Sequence, residues 1–176
     1  MALTNLHNYS VQEKLNKMDV DLIDVNISFD DGGDTGAFAA GDLLFIVTEI
    51  PNAVSVKGGT ALLHSASCIV TGSTDGSDTG NMDIVITSDS TALAIADNVA
   101  LNTESSLSAV MDGIAGTFSI TNFIDLGVVS VGSAQNIGMV CKAASGSTSL
   151  YAFGIAQSTN DYEEGSAVLR LGFIKD

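Results

Sequence analysis

The sequence predicts an all-β fold: an antiparallel β-sandwich, jelly-roll-like, of about eight to ten strands, with an N-terminal arm and one or two short helices. Three observations predict it. Short apolar runs are separated by stretches rich in Gly, Ser and Thr, with one proline and no tryptophan in the chain. Many of the runs alternate apolar and polar residues, the period of a strand with one face buried. Turn signals recur at the close spacing typical of two packed sheets. With 176 residues, 45% of them hydrophobic, the chain can bury a core as one domain. The expected division is an arm over residues 1–18 and a single sandwich domain over 19–176.

The arm, MALTNLHNYSVQEKLNKM, differs from the rest of the chain. Ser10 and Glu13 fit a capping box, and Val11, Leu15 and Met18 then recur at helical spacing. Lys14 and Lys17 are two of only six basic residues. They are the expected partner-binding residues, suited to an acidic neighbouring subunit. Asp19 to Phe29 alternates, with a phase change near Ile23-Asp24 that predicts a bulge. Asp30 to Ala37 is an acidic turn-rich loop without the ligand spacing of a calcium loop.

Gly41 to Val70 is the most apolar stretch. Leu43 to Val47 reads as a strand covered on both faces, Pro51-Asn52 as a turn, and Gly58-Gly59 as a bulge or second turn. This stretch is expected to form the central hairpin. His64 falls in its second half and reads as structural, since no acid or nucleophile pairs with it in sequence. Gly72 to Asn81 reads as a loop tip, and Met82 to Thr87 as a β-branched strand. Asp89 or Ser90 is placed to cap a short helix, and Thr103 to cap another over Leu101 to Met111. Thr117 to Val131 offers one or two strands. From Ile137 to Ile174 the pattern reads as a meander, IGMVCKAA, SLYAFGIAQS and SAVLRLGFI, with an acidic loop before the last strand. There Ala167, Leu169, Leu171 and Phe173 alternate with Val168, Arg170 and Gly172. Arg170 therefore lies on the face opposite the apolar set, either solvated or paired with a nearby acid, or at a subunit contact.

The formal charge is -15. Phosphate contacts need lysine or arginine, so nucleic acid is not an expected partner, and an anionic membrane surface is disfavoured for the same reason. No apolar run approaches the length of a spanning helix, and no secretory leader is recognisable. Synthesis in the cytoplasm is expected. Cys68 and Cys141 sit in apolar segments and read as buried free thiols. No catalytic residue, metal ligand set or cofactor is expected. Gly-x-Ser-x-Gly, the phosphate-binding loop and the dinucleotide fingerprint are all absent from the sequence. Glu49, Glu104, Glu163 and Glu164 are the glutamates after the arm, and aromatic sugar platforms are scarce beside them. A carbohydrate-binding module is a rival, with Tyr162 as the aromatic in its acidic loops.

Three segments carry a family resemblance: GDLLFIVTEIPNAVSVKGGTALL, IDLGVVSVGSAQNIGMVCKAA and the final SLYAFGIAQSTNDY…LRLGFIKD. Together they resemble the small capsid decoration (cement) and virion structural proteins of tailed bacteriophages, particularly marine cyanophages. The resemblance covers roughly three quarters of the chain, from Asp19 onward. It implies a non-enzymatic subunit on the outer capsid surface of the virion. Such a subunit clamps neighbouring copies of the major capsid protein, often as a homotrimer or other homo-oligomer. A fibre, neck or tail protein is the nearest alternative. The lysine-bearing arm departs from the family pattern.

Overall fold

A computed structural model describes residues 20–29, 38–71, 80–91, 93, 99–101, 110–158 and 165–175. The arm with Lys14 and Lys17 lies outside the described residues, as do the acidic loops around 30–37 and 159–164 and most of the expected helix after Thr103. The described residues form eight strands: β1 (Val20–Phe29), β2 (Leu43–Ile50), β3 (Thr60–Thr71), β4 (Met82–Thr87), β5 (Ile114–Asp125), β6 (Val129–Lys142), β7 (Leu150–Ala156) and β8 (Gly165–Lys175). Among them the helical content is a single 3-10 turn, Met111–Gly113. The expected cap at Asp89 is instead a local turn, in which its carboxylate accepts from the Thr91 backbone N–H (2.8 Å) and hydroxyl (2.6 Å).

The pairing is β1 with β8, β2 with β7, β3 with β6 and β4 with β5, all antiparallel. First pairs with last, second with next to last, as in one long double strand bent between β4 and β5. Rolling that double strand brings β3 beside β8 and β4 beside β7. The result is one eight-stranded sheet, in the order β1-β8-β3-β6-β5-β4-β7-β2, folded into two four-stranded halves, β1-β8-β3-β6 and β2-β7-β4-β5. They are joined at one corner where Thr121 to Asp125 of β5 meet Ser130 to Ser133 of β6. This is the jelly-roll arrangement, an antiparallel roll that nearly closes and so leaves little open sheet edge.

The expected central hairpin is not one. β2 and β3 lie in different sheets, and residues 51–59 carry the chain across one end of the roll. There Val54 and Gly58 donate backbone hydrogen bonds to Thr148 and Ser147. Pro51 does sit in the turn, and Asn52 beside it takes a left-handed conformation (φ 54°). The expected meander fails in the same way. β6, β7 and β8 occupy the expected segments, but none pairs with the next. An apolar run encodes burial, not the identity of its partner, and connections longer than a tight turn leave that choice to distant strands.

The bulge expected in β1 is absent, since β1 runs against β8 in unbroken register from Val20↔Ile174 to Phe29↔Gly165. The phase change is real, but it marks a change of face. Val25, Ile27 and Phe29 point into the core, while Val20 and Leu22 point outward. The bulge lies in β3 at His64, between the pairs Leu63↔Phe173 and Ser65↔Gly172. Opposite it on β6, Asn136 and Gly138 take positive φ.

The core between the sheets is built from alternate positions. Leu150, Ala152 and Ala156 of β7, Met82, Ile84 and Ile86 of β4, and Ala167, Leu169, Leu171 and Phe173 of β8 are buried there. A bulge in β2 between Leu43 and Phe45 sends Leu44 and Phe45 into this one core. Gly154 faces Phe45 so closely that any β-carbon would strike the ring. Both cysteines are buried and unpaired, as expected, and desolvation pushes the Cys68 thiol up to about 12 and the Cys141 thiol up to about 11.

Candidate functional site

The two sheets present very different outer faces. On β2-β7-β4-β5, alternation turns Leu43, Val85 and Phe153 outward, and all three are nevertheless buried. Leu93 and Val110, from the long connection between β4 and β5, pack over them, with Val47, Leu101 and Ile155 alongside. This small second core explains why β2 reads as apolar on both faces. Beyond it lies a polar cluster: Ser119 donates to Asp83, and the Gln157 amide donates to Asp83 (2.6 Å) and to Ser119 (3.0 Å). The register Asp83↔Ser119 brings the first two together. Residues 83, 119 and 157 carry no shared sequence signal, so only the roll reveals them. The serine has an acid beside it but no histidine in the cluster, so the arrangement is a satisfied surface network rather than a nucleophile with its base.

On β1-β8-β3-β6 the outward residues lie in register rows. Arg170 stands in the middle row, flanked by Asp24 on β1 and Ser67 on β3. Its guanidinium grips Asp24 with two hydrogen bonds, Nε to Oδ1 at 2.7 Å and Nη2 to Oδ2 at 2.8 Å. That grip holds the Asp24 carboxyl below its usual 3.8 and raises Arg170 in turn. Of the two readings the sequence left for Arg170, the ion pair is therefore present. At the sheet's end Lys175 pairs with Asp21 at 2.9 Å. Leu22 and Val140 stand outward on either edge of this face, 63% and 68% exposed.

A second exposed apolar feature is the β5–β6 turn. Ile124, Leu126 and Val128 project there, with Val128 74% exposed. Hydrogen bonds hold the turn's shape: Leu126 N–H donates to Val129 O, and the Asp125 carboxylate accepts from Gly127 N–H. In sequence this run falls within the one or two strands expected over Thr117 to Val131, and its exposure goes unseen. The signal was available as an apolar run crossing a Leu-Gly turn.

Chemistry for a small ligand is sparse among the described residues. An open groove of about 280 Å³ lies between Ser88, Asp112 to Ala115, Val140 and Lys142. No group of three metal-ligating side chains is found among the described residues. His64, at the β3 bulge, is half-buried. Glu49 accepts a 2.6 Å hydrogen bond from Ser149, while Glu104, Glu163, Glu164 and Tyr162 lie outside the described residues. No described helix is long and apolar enough to cross a membrane.

No family model matches the chain, and no curated protein matches it in sequence. Solved structures similar to it include viral ones. Tomato aspermy virus shares 5% identity over 89% of this chain and 78% of that chain, with a TM-score of 0.32. The acidic stable capsid of Helicobacter pylori bacteriophage KHP30 shares 14% over 88% and 86%, with a TM-score of 0.31. The semi-empty VLP of giant freshwater prawn Macrobrachium rosenbergii nodavirus shares 10% over 88% and 83%, with a TM-score of 0.31. The fold assignment itself rests on the strand order and registers given above.

Proposed function

We propose that this chain is a structural protein of a phage virion, a decoration protein that binds the major capsid protein on the outer surface of the shell and stabilises it as a homo-oligomer, for example a trimer. One observation carries the reading. A strongly acidic chain leaves large apolar side chains in solvent, among them Val20, Leu22 and Val140 on the outer face of β1-β8-β3-β6 and Ile124, Leu126 and Val128 at the β5–β6 turn. Contiguous exposed apolar surface on a well-packed fold points to contact with other proteins. The rest of the molecule suits such a role: its core is buried, its net charge of -15 disfavours contact with packaged nucleic acid, and weak contacts would gain strength by repetition over many copies. Lys14, Lys17 and Arg170 are the charged groups assigned to the contacts.

Quantitative mass spectrometry of purified particles tests this. A copy number matching the shell subunits is the expected result, while a small number matching a portal, neck or tail would assign the chain to that other part of the virion. Deleting residues 1–18 is expected to lower occupancy on the shell, and full decoration by the truncated protein would remove the arm from the contact. A glycan array with reproducible hits would favour the carbohydrate-binding alternative.

A further inference from the structure

Four residues in register form an apolar row across the whole outer face of β1-β8-β3-β6. Val20 stands opposite Ile174, Ile174 opposite Leu62, and Leu62 opposite Val140. Directly opposed residues share a face, so all four side chains project outward. Leu22 widens the row beside Gly172, whose missing side chain leaves Val20 and Leu22 lying over it. Val20, Leu22 and Val140 are well exposed, and Ile174 and Leu62 half-buried. At about 4.8 Å between strands, the row is about 14 Å long.

The sequence supplies a segment that fits it. Val11, Leu15 and Met18 lie at helical spacing behind the Ser10/Glu13 capping box. In a helix they would form one apolar face about 10 Å long, at 1.5 Å per residue. The segment ends two residues before Val20, the first member of the row, with only Asp19 between them. Asp19 alone gives a reach of about 7 Å, whereas packed layers stand about 10 Å apart. A helix over residues 10–18 would have little slack to fold back over its own Val20 and extends more readily onto a neighbour. Charge agrees. Residues 1–18 hold two lysines and one glutamate, while the rest of the chain holds four basic and twenty acidic groups.

We infer that residues 10–18 of each copy dock as an amphipathic helix across the Val20–Ile174–Leu62–Val140 row of a second copy. Exchanged arms then link the homo-oligomer. The inference rests on the homo-oligomeric part of the proposed function and names the surface that holds the copies together.

The test mixes two full-length variants, Leu15→Cys and Leu22→Cys, under mild oxidation. The native cysteines are buried and stay silent. A disulfide joining the two variants, mapped by peptide mass spectrometry, is the expected result. A double variant should link between copies and not within one. Leu15→Glu should weaken self-association at least tenfold in sedimentation, with an unchanged far-UV spectrum. Absence of the mixed link in natively folded protein, a link confined to one chain, or dominant Leu22-to-Leu22 linkage would each overturn arm exchange. The last would mean face-to-face stacking instead. All readouts use protein without shells. Loss of exchange thus leaves shell decoration standing, and exchange without shell binding would sink decoration alone.

Discussion

The two outer faces of the roll are built from the same alternation and end in opposite states. On β2-β7-β4-β5, Val85 and Phe153 are turned outward and then sealed by Leu93 and Val110 from the chain's own connection. On β1-β8-β3-β6, Leu22 and Val140 are turned outward and remain exposed. The difference teaches that apolar outward residues are not in themselves a sign of a binding face. What marks one is the absence, among the described residues, of a segment of the same chain packed on it. The sealed face adds a second core to the fold, and the open face is the one on which the proposed contacts are placed.

Chemistry and mutation can break or sharpen that contrast. The largest effect should fall on the thiols of the core. Cys68 and Cys141, raised to about 12 and about 11 by burial, should be inert to an aromatic disulfide reagent at about pH 8 in the native protein and react fully in denaturant. Rapid native reaction would show that the sheets part readily. Next, Phe153→Ala removes the largest side chain of the sealed face and should cost about 3–5 kcal/mol in denaturant unfolding. A cost below about 1 kcal/mol would mean that the β4–β5 connection does not seal that face. Gly154→Ala, one residue on but facing inward, should cost about 1–3 kcal/mol because the new methyl group displaces the Phe45 ring. By contrast Val140→Ser on the open face should change the stability of dilute protein by no more than about 0.5 kcal/mol. Its effect should appear in association.

The smallest effect belongs to the Asp24–Arg170 pair. Because Arg170 holds Asp24 below 3.8, the pair's contribution is present above that value and lost as pH falls through the lower folded value. Asp24→Asn should therefore destabilise slightly at neutral pH and not at all in strong acid, with the difference shrinking in high salt. A pH-independent deficit would mean that the substitution disturbs the sheet rather than the charge pair.

Strand positions were legible in the sequence wherever alternation was strict, as in β8, where the outward Arg170 and the inward Leu169 and Leu171 stand as the pattern placed them. Pairing was not legible. β2 and β3 are neighbours in sequence and belong to different sheets, because register is fixed by strands far along the chain. The phase change in β1 was visible, but its meaning was not: a bulge and a switch of apolar face look alike until the partner strand is known. Of the site, Arg170's face was legible from one strand. The Val20–Ile174–Leu62–Val140 row was not, since it assembles one residue from each of four strands.

Hydroxyl-radical footprinting of the protein, dilute and then assembled, tests most directly whether the open face is where the copies or their shell are held. Leu22 and Val140 should lose reactivity on assembly, while Val85 and Phe153 stay protected in both states. Equal reactivity of Leu22 and Val140 before and after assembly would place the contacts elsewhere and contradict the account.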